Sequence, residues 1–510
     1  MTDSPGWRVW VGFMSMVVGM FMAILDIQIV SSSLEQIQAG LAASPDEAAW
    51  VQTSYLVAEI VMIPLSGWLS RALSTRVLYT LSALGFTVFS ALCASAHSLG
   101  QMILFRALQG FIGGAMIPTV FATGFLVFPP RLRTRIQVMV SLTATLAPTI
   151  GPTLGGWLTD TFSWHWVFLI NLPVGLAAAL SVWTFIDIDR PDVGLLRRFD
   201  YFGLALMAAF LGSLEYVLEE GNRDDWFSDR SITFFSVLSA AAAVLFVHRM
   251  LTRREPLVEL RALADRNFAL GCLFMGVIGV GLYGAVYIVP VFLEQVRAYN
   301  SFEIGKAMFA TGIVMFLTAP IAGRVSNLID LRRMTAIGML SFGVACWWMA
   351  HLTNLSGTWE IMGAQGLRGF ALMFLFLPVN QISLGTLPAA ALKNASGLFN
   401  LMRNLGGAIG IATLSTLATN RTAVHALHLH EQVGWGRSAA TAWLANATHL
   451  LTPAKGAGAP LAALKELALM VQREALTLAY NDVILVMGLC FFAAFPLTFL
   501  MTRPRPAPMP

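Results

Sequence analysis

Long apolar segments separated by short polar loops occupy most of this chain. A transmembrane helix needs about 20 consecutive, mainly apolar residues, and fourteen segments are about this long. Unpaired backbone polar groups are costly in lipid, so each segment is predicted to be a helix. The predicted spans are Trp10–Val30, Ala49–Leu69, Val77–Ala96, Gln101–Val127, Ile136–Leu158, Trp166–Phe185, Tyr201–Leu218, Ile232–Arg249, Phe268–Leu293, Ile304–Ala322, Met334–Leu352, Thr358–Ile382, Ala395–Leu417 and Asn481–Met501.

Composition agrees with a protein that is embedded in a bilayer. Of the 510 residues, 57% are hydrophobic and 12% are charged, which is about half the charged share of a soluble globular protein. This excludes an ordinary water-soluble enzyme, a disordered chain and a nucleic-acid-binding protein. The net charge of +4 does not indicate an anionic partner, because the basic residues lie in short clusters between apolar segments.

The distribution of basic residues predicts the orientation. With the N-terminus in the cytoplasm, most of the 32 Lys and Arg residues fall in cytoplasmic loops, as basic loops in membrane proteins generally do. The short outer loops hold Arg223, Arg230, Arg297 and Lys306. An even number of spans also leaves Arg503 and Arg505 inside, so both termini are predicted to be cytoplasmic.

Charged linkers divide the spans into groups of six, two and six. The predicted units are an N-terminal six-helix bundle at 1–190, two inserted transmembrane helices with their linkers at 191–266, and a C-terminal six-helix bundle at 267–510. The last unit includes an outer-face segment, 418–480, part of which has the periodicity of an amphipathic helix. Repeated bundles with a site between them are a known transporter plan.

Ionisable side chains inside the spans are candidates for function, because each costs a few kcal/mol in lipid. At 1.5 Å per residue, Asp26 and Arg106 lie at the same depth, roughly 7 Å from the outer ends of their spans, which permits an ion pair. Glu59 lies near the midplane, where desolvation favours a neutral acid. Arg368, at a similar depth, is a candidate counter-charge for Glu59 or for an anionic substrate. Glu215 is expected to be interfacial, and purely structural roles remain alternatives for all of these groups.

Abundant aromatic and Met side chains suit an adaptable apolar cavity, although each alone more often serves packing. Candidate substrate contacts are Met20, Tyr283, Tyr287 and Phe292. His425, His428 and His430 are not spaced to share one helix face, and no carboxylate completes a set, so a solvated loop is favoured over a metal site. No Walker sequence occurs, so neither a nucleotide nor another cofactor is predicted.

Six short motifs follow one another along the chain. They are LDIQIV at 25–30, WVQTSY at 50–55, RALQG at 106–110, APTIGPTLGG at 147–156, WHWVFLINLPVG at 164–175 and MRNLGG at 402–407. Together, and in this order, they resemble the motifs of the fourteen-helix drug:proton antiporters of the major facilitator superfamily. Within that group the chain is most similar in pattern to the EmrB-like efflux pumps.

The resemblance implies a major facilitator fold and a bacterial inner-membrane pump that exports hydrophobic drugs in exchange for protons by alternating access. It also implies roles in proton coupling for Asp26 and Arg106, and two partners, a periplasmic adaptor and an outer-membrane channel. The fifth span carries the antiporter motif, whose Gly and Pro residues allow close helix approach and bend the axis. Those motif residues are Pro148, Gly151, Pro152, Gly155 and Gly156.

The loop after the second span departs from the family pattern, G-x-L-a-D-r-x-G-r-k. Arg71 stands where the family has Asp, and Ser74 stands where it has Gly. In the family that Asp helps to hold the inner gate shut in the outward-open state. The sequence does not show what replaces it.

Two other functions compete with drug efflux as interpretations of the sequence. A major facilitator transporter that exports one specific metabolite or fatty acid, without a tripartite assembly, remains open. A membrane-embedded enzyme or sensor is disfavoured, because the chain shows neither a nucleophile and base at one depth nor a segment long enough for a soluble output domain.

Overall fold

The computed structural model describes residues 6–253, 255–434 and 436–502, and the regular structure within them is helical. The first six long helices pack against one another as a bundle. They are α1 (Trp7–Ser32), α2 (Trp50–Leu73), α3 (Thr75–Ala94), α4 (Leu99–Gly113 and Met116–Val127), α5 (Pro130–Thr161) and α6 (His165–Leu169 and Asn171–Phe185).

Two further helices, α7 (Tyr201–Glu220) and α8 (Arg230–Thr252), pack mainly on each other. Asp200 ties them together, because its carboxylate accepts a hydrogen bond from Gly203 N at 2.9 Å and pairs with Arg249 at 2.7 Å. Burial raises the pKa of Asp200, but the bonds from Arg249 and Gly203 outweigh it and hold that pKa below its ordinary value. The N-terminus of α7 is therefore anchored by a charged cap.

The remaining long helices form the second bundle together with a projection beyond it. They are α9 (Arg266–Arg297), α10 (Ser301–Val325), α11 (Leu331–Met349), α12 (Thr358–Gly385), α13 (Ala389–Gln432), α14 (Ser438–Lys455) and α15 (Ala459–Ala494). The 44 residues of α13 span about 66 Å at 1.5 Å each, roughly twice the thickness of a bilayer core. The predicted outer-face segment 418–480 is thus helical, made of the end of α13, all of α14 and the start of α15.

Each predicted span overlaps a long helix. In the described part of the chain, 12 regions are both long and apolar enough to cross a membrane. The other two predicted spans fall in α11, which begins with Arg332 and Arg333 after Leu331, and in α13, which carries Arg403 among several Asn residues. Arg403 is buried within the protein, and Arg332 pairs with Asp330 at 2.7 Å.

The two bundles meet mainly where α2 packs on α13 and α5 packs on α10, with further contacts of α4 with α13 and of α5 with α12. The inserted helix α7 touches both bundles, since it packs on α2 and on α13. Glu220 at its end accepts a hydrogen bond from Thr53 of α2 at 2.9 Å. Just beyond it, Trp226 donates to Thr416 of α13 at 3.0 Å. The inserted pair therefore closes one side of the space between the bundles.

Candidate functional site

The predicted pair of Asp26 and Arg106 is present and fully buried. The nearest oxygen and nitrogen atoms of the two side chains are 2.6 Å apart, and both side chains are 0% exposed. Asn171 donates to the other Asp26 oxygen at 2.7 Å, and Gln109 donates to it at 3.3 Å. Three motifs, on α1, α4 and α6, therefore meet around one carboxylate, which has an ion-pair partner and two amide donors.

Tyr55 connects this pair to the next acid on α2. The Arg106 guanidinium lies 4.2 Å from the centre of the Tyr55 ring, a distance at which a cation is attracted to the ring face. Tyr55 is 0% exposed, and its hydroxyl has no hydrogen-bond partner among the described residues. Glu59 follows four residues later, so the two side chains lie on the same face of α2.

A cavity of about 710 Å³ lies between the bundles, within the range of sites for drug-sized molecules. Its wall includes the outer-end residues of α1, α2, α5, α7 and α9, together with part of α13. Those on α1 and α2 include Ile27, Gln28, Leu56 and Glu59. These helix ends are the ones that the sequence predicts to face outwards.

Glu59 lies in the deep part of this cavity. It is 1% exposed, and its Oε1 atom has no hydrogen-bond partner among the described residues. The positive charges that act on it are Arg403 of α13 and Arg106. Arg403 is also buried, and its Nη1 atom likewise lacks a partner. Glu59 and Arg403 come from different bundles, and each has one polar atom without a hydrogen-bond partner among the described residues.

The predicted substrate contacts divide into two groups. Tyr283 and Tyr287 line the cavity. Met20 and Phe292 do not, since both are buried in helix packing, with Phe292 against Tyr480 at 6.0 Å between ring centres.

The predicted counter-charge, Arg368, also lies outside the cavity. Arg368 is buried and donates to Thr311 of α10 at 3.2 Å, so the structure does not bring it to Glu59 or to the cavity.

The antiporter motif lies where α5 crosses α1. A methyl group at Gly155 would lie 2.8 Å from the Ile29 carbonyl oxygen, and one at Gly151 would lie still closer to the side chain of Gln28. Only glycine permits helices to approach this closely. Pro148 and Pro152 lie inside the same helix, and Gly156 is buried. The motif therefore sets the spacing between α5 and the helix that carries Asp26.

At the opposite end the bundles are closed by Asp189, on the segment that follows α6. Its carboxylate forms an ion pair with Lys393, at the start of α13. It also accepts hydrogen bonds from Thr75 N at 3.0 Å and from the Thr75 hydroxyl at 2.9 Å, and so caps α3. Lys393 donates in addition to the Ser70 carbonyl at 3.1 Å. We call this Asp189–Lys393 contact the inner latch.

The inner latch supplies an acid beside the altered loop, which lacks the Asp of the family pattern. Arg71 supplies no acid, and Asp189 from another loop holds the adjacent helix end instead. Ser74 adopts a φ of 80° and a ψ of 155°, a region almost reserved for glycine. Ser74 therefore holds a backbone conformation that suits the glycine of the family pattern.

The His residues near the end of the thirteenth span lie in α13, so the expectation of a loop is wrong. His425 contacts Asp482 of α15 at 2.9 Å. Within the described ranges, no group of three or more His, Cys, Asp or Glu side chains is arranged to hold a metal ion.

Sequence reasoning missed several residues of this site. Glu215, expected at the interface, is 4% exposed and lines the cavity together with Glu219. Arg403 belongs to the MRNLGG motif and lies within a predicted span, but the sequence did not assign it a role beside Glu59. Its position inside a predicted span, like that of Arg106, was the available signal. The contribution of Asp189 had no signal in the sequence, because it depends on how a loop folds back.

The model of the Major Facilitator Superfamily matches residues 16–411. The chain therefore belongs to the major facilitator superfamily, a family of membrane transporters, and the predicted all-α major facilitator fold is confirmed. Among solved structures it resembles the proton:xylose symporter XylE, with a TM-score of 0.62 and 11% identity over 97% of this chain and 96% of that one. At this identity the likeness concerns the fold alone.

Within the superfamily the chain is an EmrB-like protein, as its motifs predicted. It is 41% identical over 499 residues to the colistin resistance protein EmrB of Acinetobacter baumannii, covering 98% of this chain and 97% of that protein. It is 31% identical over 418 residues to the multidrug export protein EmrB of Escherichia coli, covering 81% of each. It is also 28% identical over 495 residues to the fatty acid resistance protein FarB of Neisseria gonorrhoeae, covering 96% of each.

Proposed function

We propose that this protein exports hydrophobic or amphipathic toxic compounds across the bacterial inner membrane in exchange for protons. The observation that carries the proposal is the buried Asp26–Arg106 pair beside a cavity that contains Glu59. Ionisable groups in a membrane interior are costly and usually functional. The similarity to a protein named for multidrug export supports several substrates rather than one.

In the proposed cycle, protons arrive from the outer side, where the cavity opens. A proton on Glu59 removes a negative charge from the deep end of the cavity. Tyr55 contacts Arg106 and shares a helix face with Glu59, so it relays this change to the Asp26–Arg106 pair. Neutralisation of Asp26 then weakens its bond to Arg106 and frees the two bundles to rock about the substrate.

The proton gradient is large enough for this work. One proton contributes about 2.3 kcal/mol per 100 mV of membrane potential and about 1.4 kcal/mol per pH unit. Together, for an uncharged drug, about 3.7 kcal/mol supports a gradient of about 500-fold. ATP is not part of the proposed cycle.

The same proposal includes a tripartite assembly. The projection formed by α14 and the adjoining ends of α13 and α15 exposes large apolar side chains, with Leu450 at 77%, Leu461 at 73% and Leu427 at 62%. Such surfaces on a soluble part are typical of interaction sites. We propose that a periplasmic adaptor docks here and connects the pump to an outer-membrane channel.

Replacing Leu450 and Leu461 by Gln tests this docking surface. Efflux from whole cells is expected to fall, while transport into membrane vesicles stays at the wild-type rate. Leu328→Gln, at an 81% exposed position on the opposite face, is the matched control. Whole-cell efflux equal to the wild type in the double variant contradicts adaptor docking at these residues.

A second function has one observation in its favour, the similarity to a fatty acid resistance protein. A growth-inhibition panel in a strain without its own pumps separates the two. Protection against several unrelated drugs, lost when an uncoupler is added, supports proton-driven multidrug efflux. Protection against fatty acids alone, or against one compound, supports the narrower exporter.

The proposed orientation places both termini in the cytoplasm, although residues 503–510, with the predicted basic tail, lie outside the described part of the chain. Alkaline phosphatase is active only outside the cytoplasm, so fusions to either terminus are expected to be inactive. A fusion within α14 is expected to be active. An active fusion at one terminus contradicts the proposed topology.

A further inference from the structure

The cavity between the bundles is strongly acidic. Six carboxylates from five separate elements line it, namely Glu35, Glu59, Asp160, Glu215, Glu219 and Glu294. Among the described lining residues, none is Lys or Arg. A cleft lined by charges of one sign concentrates ions of the opposite sign.

The solvent exposure of these acids decreases from the entrance of the cavity to its interior. Glu35, Asp160 and Glu294 are exposed to solvent at the mouth, whereas Glu219 is half-buried. Glu215 and Glu59 are buried, and one carboxylate oxygen of each has no hydrogen-bond partner among the described residues. A buried, unpaired carboxylate oxygen is costly. A cationic ligand in the cavity would supply the missing partner.

The rest of the wall suits the apolar part of such a ligand. Leu56, Ile60 and Val286 provide aliphatic surface, and Tyr283 and Tyr287 provide aromatic rings. Aromatic faces also attract organic cations. The lining is therefore complementary to a molecule with a positive charge and a bulky apolar body.

The inserted helix supplies two of these acids. Glu215 and Glu219 are four residues apart on α7, so they lie on one face of the helix, and both face the cavity. The bonds from Glu220 to Thr53 and from Trp226 to Thr416 hold this end of α7 against both bundles. The inserted pair is thus part of the cavity wall. Its two carboxylates add to the four that the rest of the wall provides.

We infer that the cavity selects amphipathic organic cations over anions, and that Glu215 and Glu219 of α7 are specificity-determining residues that hold the positive charge. The inference rests on the proposed function, since it takes this cavity as the place where the exported compound binds. The inference also explains why export of the compound is coupled to uptake of protons, because protons and the cation compete for the same carboxylates.

Three probes of similar size test charge selection on the purified full chain. They are tetraphenylphosphonium, which is a cation, tetraphenylborate, which is an anion, and neutral triphenylphosphine oxide. Tetraphenylphosphonium is expected to bind at least about tenfold more tightly than tetraphenylborate, a difference of about 1.4 kcal/mol. Its affinity is expected to fall as the pH is lowered. Equal or tighter binding of tetraphenylborate overturns the inference.

The residue assignment is tested with Glu215→Gln combined with Glu219→Gln. Tetraphenylphosphonium binding is expected to weaken about tenfold, while triphenylphosphine oxide binding, which also reports folding, stays unchanged. Glu466→Gln, at an exposed position on α15, is the matched control. If the double variant does not fold, Glu219→Gln alone is used, with a smaller loss expected. Unchanged cation affinity in a folded variant overturns the assignment.

Transport in proteoliposomes separates this inference from the proposed function. If an imposed pH difference drives the neutral probe and the anion but not the cation, charge selection is wrong and proton-coupled export stands. If it drives none of the three, the proposed function itself is wrong. Transport of the cation in preference to the anion supports both.

Discussion

Asp26 and Arg106 come from different helices and meet at 2.6 Å in a part of the protein that solvent does not reach. Removing one partner from a buried ion pair leaves an uncompensated charge and costs about 3–5 kcal/mol. Here Gln109 and Asn171 also donate to the carboxylate, so several side chains depend on Asp26 for their hydrogen bonds. The pair is therefore both a structural element and the centre of the proposed coupling.

Single and double substitutions separate these two roles. Arg106→Gln is expected to lower the thermal unfolding temperature strongly, because Asp26 is left buried and unpaired. Adding Asp26→Asn to it is expected to restore much of that stability, since both charges are then gone. Proton-driven transport is expected to be absent in the single variant and in the double variant. Recovery of proton-driven transport in the double variant contradicts a coupling role for the pair.

The close approach of α5 to α1 predicts the effect of a single methyl group. In Gly155→Ala the new Cβ would lie 2.8 Å from the Ile29 carbonyl oxygen, so the helices must separate. We expect reduced transport and a lower unfolding temperature. Gly100→Ala is the control, because nothing lies within 4 Å of its Cβ position. Wild-type transport by Gly155→Ala contradicts a spacing role for the motif.

The backbone at Ser74 predicts a stabilising substitution. Its φ of 80° places a side chain in a region that costs about 1–3 kcal/mol, and glycine removes that cost. The hydroxyl caps Val77 N at 3.4 Å, and its loss to glycine costs only a few tenths of a kcal/mol. Ser74→Gly is therefore expected to gain about 1 kcal/mol, measured by unfolding.

Ser95→Gly is the control for this measurement, since Ser95 has an ordinary φ of −103°. No gain in stability is expected there. An equal gain at both positions indicates a general effect of glycine and contradicts backbone strain at Ser74.

The inner latch predicts a shift between conformations. Lys393→Gln removes the ion pair to Asp189 but leaves the Asp189 cap on α3 in place. A charged hydrogen bond of this kind contributes about 1 kcal/mol or more, or about a fivefold change in the ratio of outward-open to inward-open states. In a cysteine-free background, Ser31→Cys at the cavity wall reports outward opening by its labelling with an impermeant maleimide.

Labelling is expected to slow in Lys393→Gln and to slow further in Asp189→Asn, which also loses the cap. Arg76→Gln is the control, because its pair with Asp187 is 3.9 Å apart and largely exposed, and exposed pairs contribute little. Unchanged labelling in both latch variants contradicts a role for this contact in closing the inner side.

Sequence alone predicted the helices well, because apolar length is a direct requirement of the bilayer. It also predicted the contact of Asp26 with Arg106, since rise per residue fixes depth. Depth does not fix the direction in which a side chain points. Depth alone therefore makes Arg368 a candidate counter-charge for Glu59 or for an anionic substrate, whereas its guanidinium bonds to Thr311. Arg403 acts on Glu59 instead.

The acidic cavity was harder to predict for a similar reason. Its six carboxylates lie on five separate elements, which come together only when both bundles and α7 are packed. Asp189 likewise takes over a role that the family loop gives to a nearer residue, which requires the chain after α6 to fold back. Short-range patterns carry no information about such contacts.

Proton movement driven by substrate tests the central claim most directly. The purified protein in liposomes, with a pH-sensitive dye inside, is expected to move protons when tetraphenylphosphonium is added outside. Glu59→Gln and Asp26→Asn are each expected to abolish that proton movement while still binding neutral triphenylphosphine oxide. Full substrate-driven proton movement in both variants would contradict the account of these buried acids as the coupling groups.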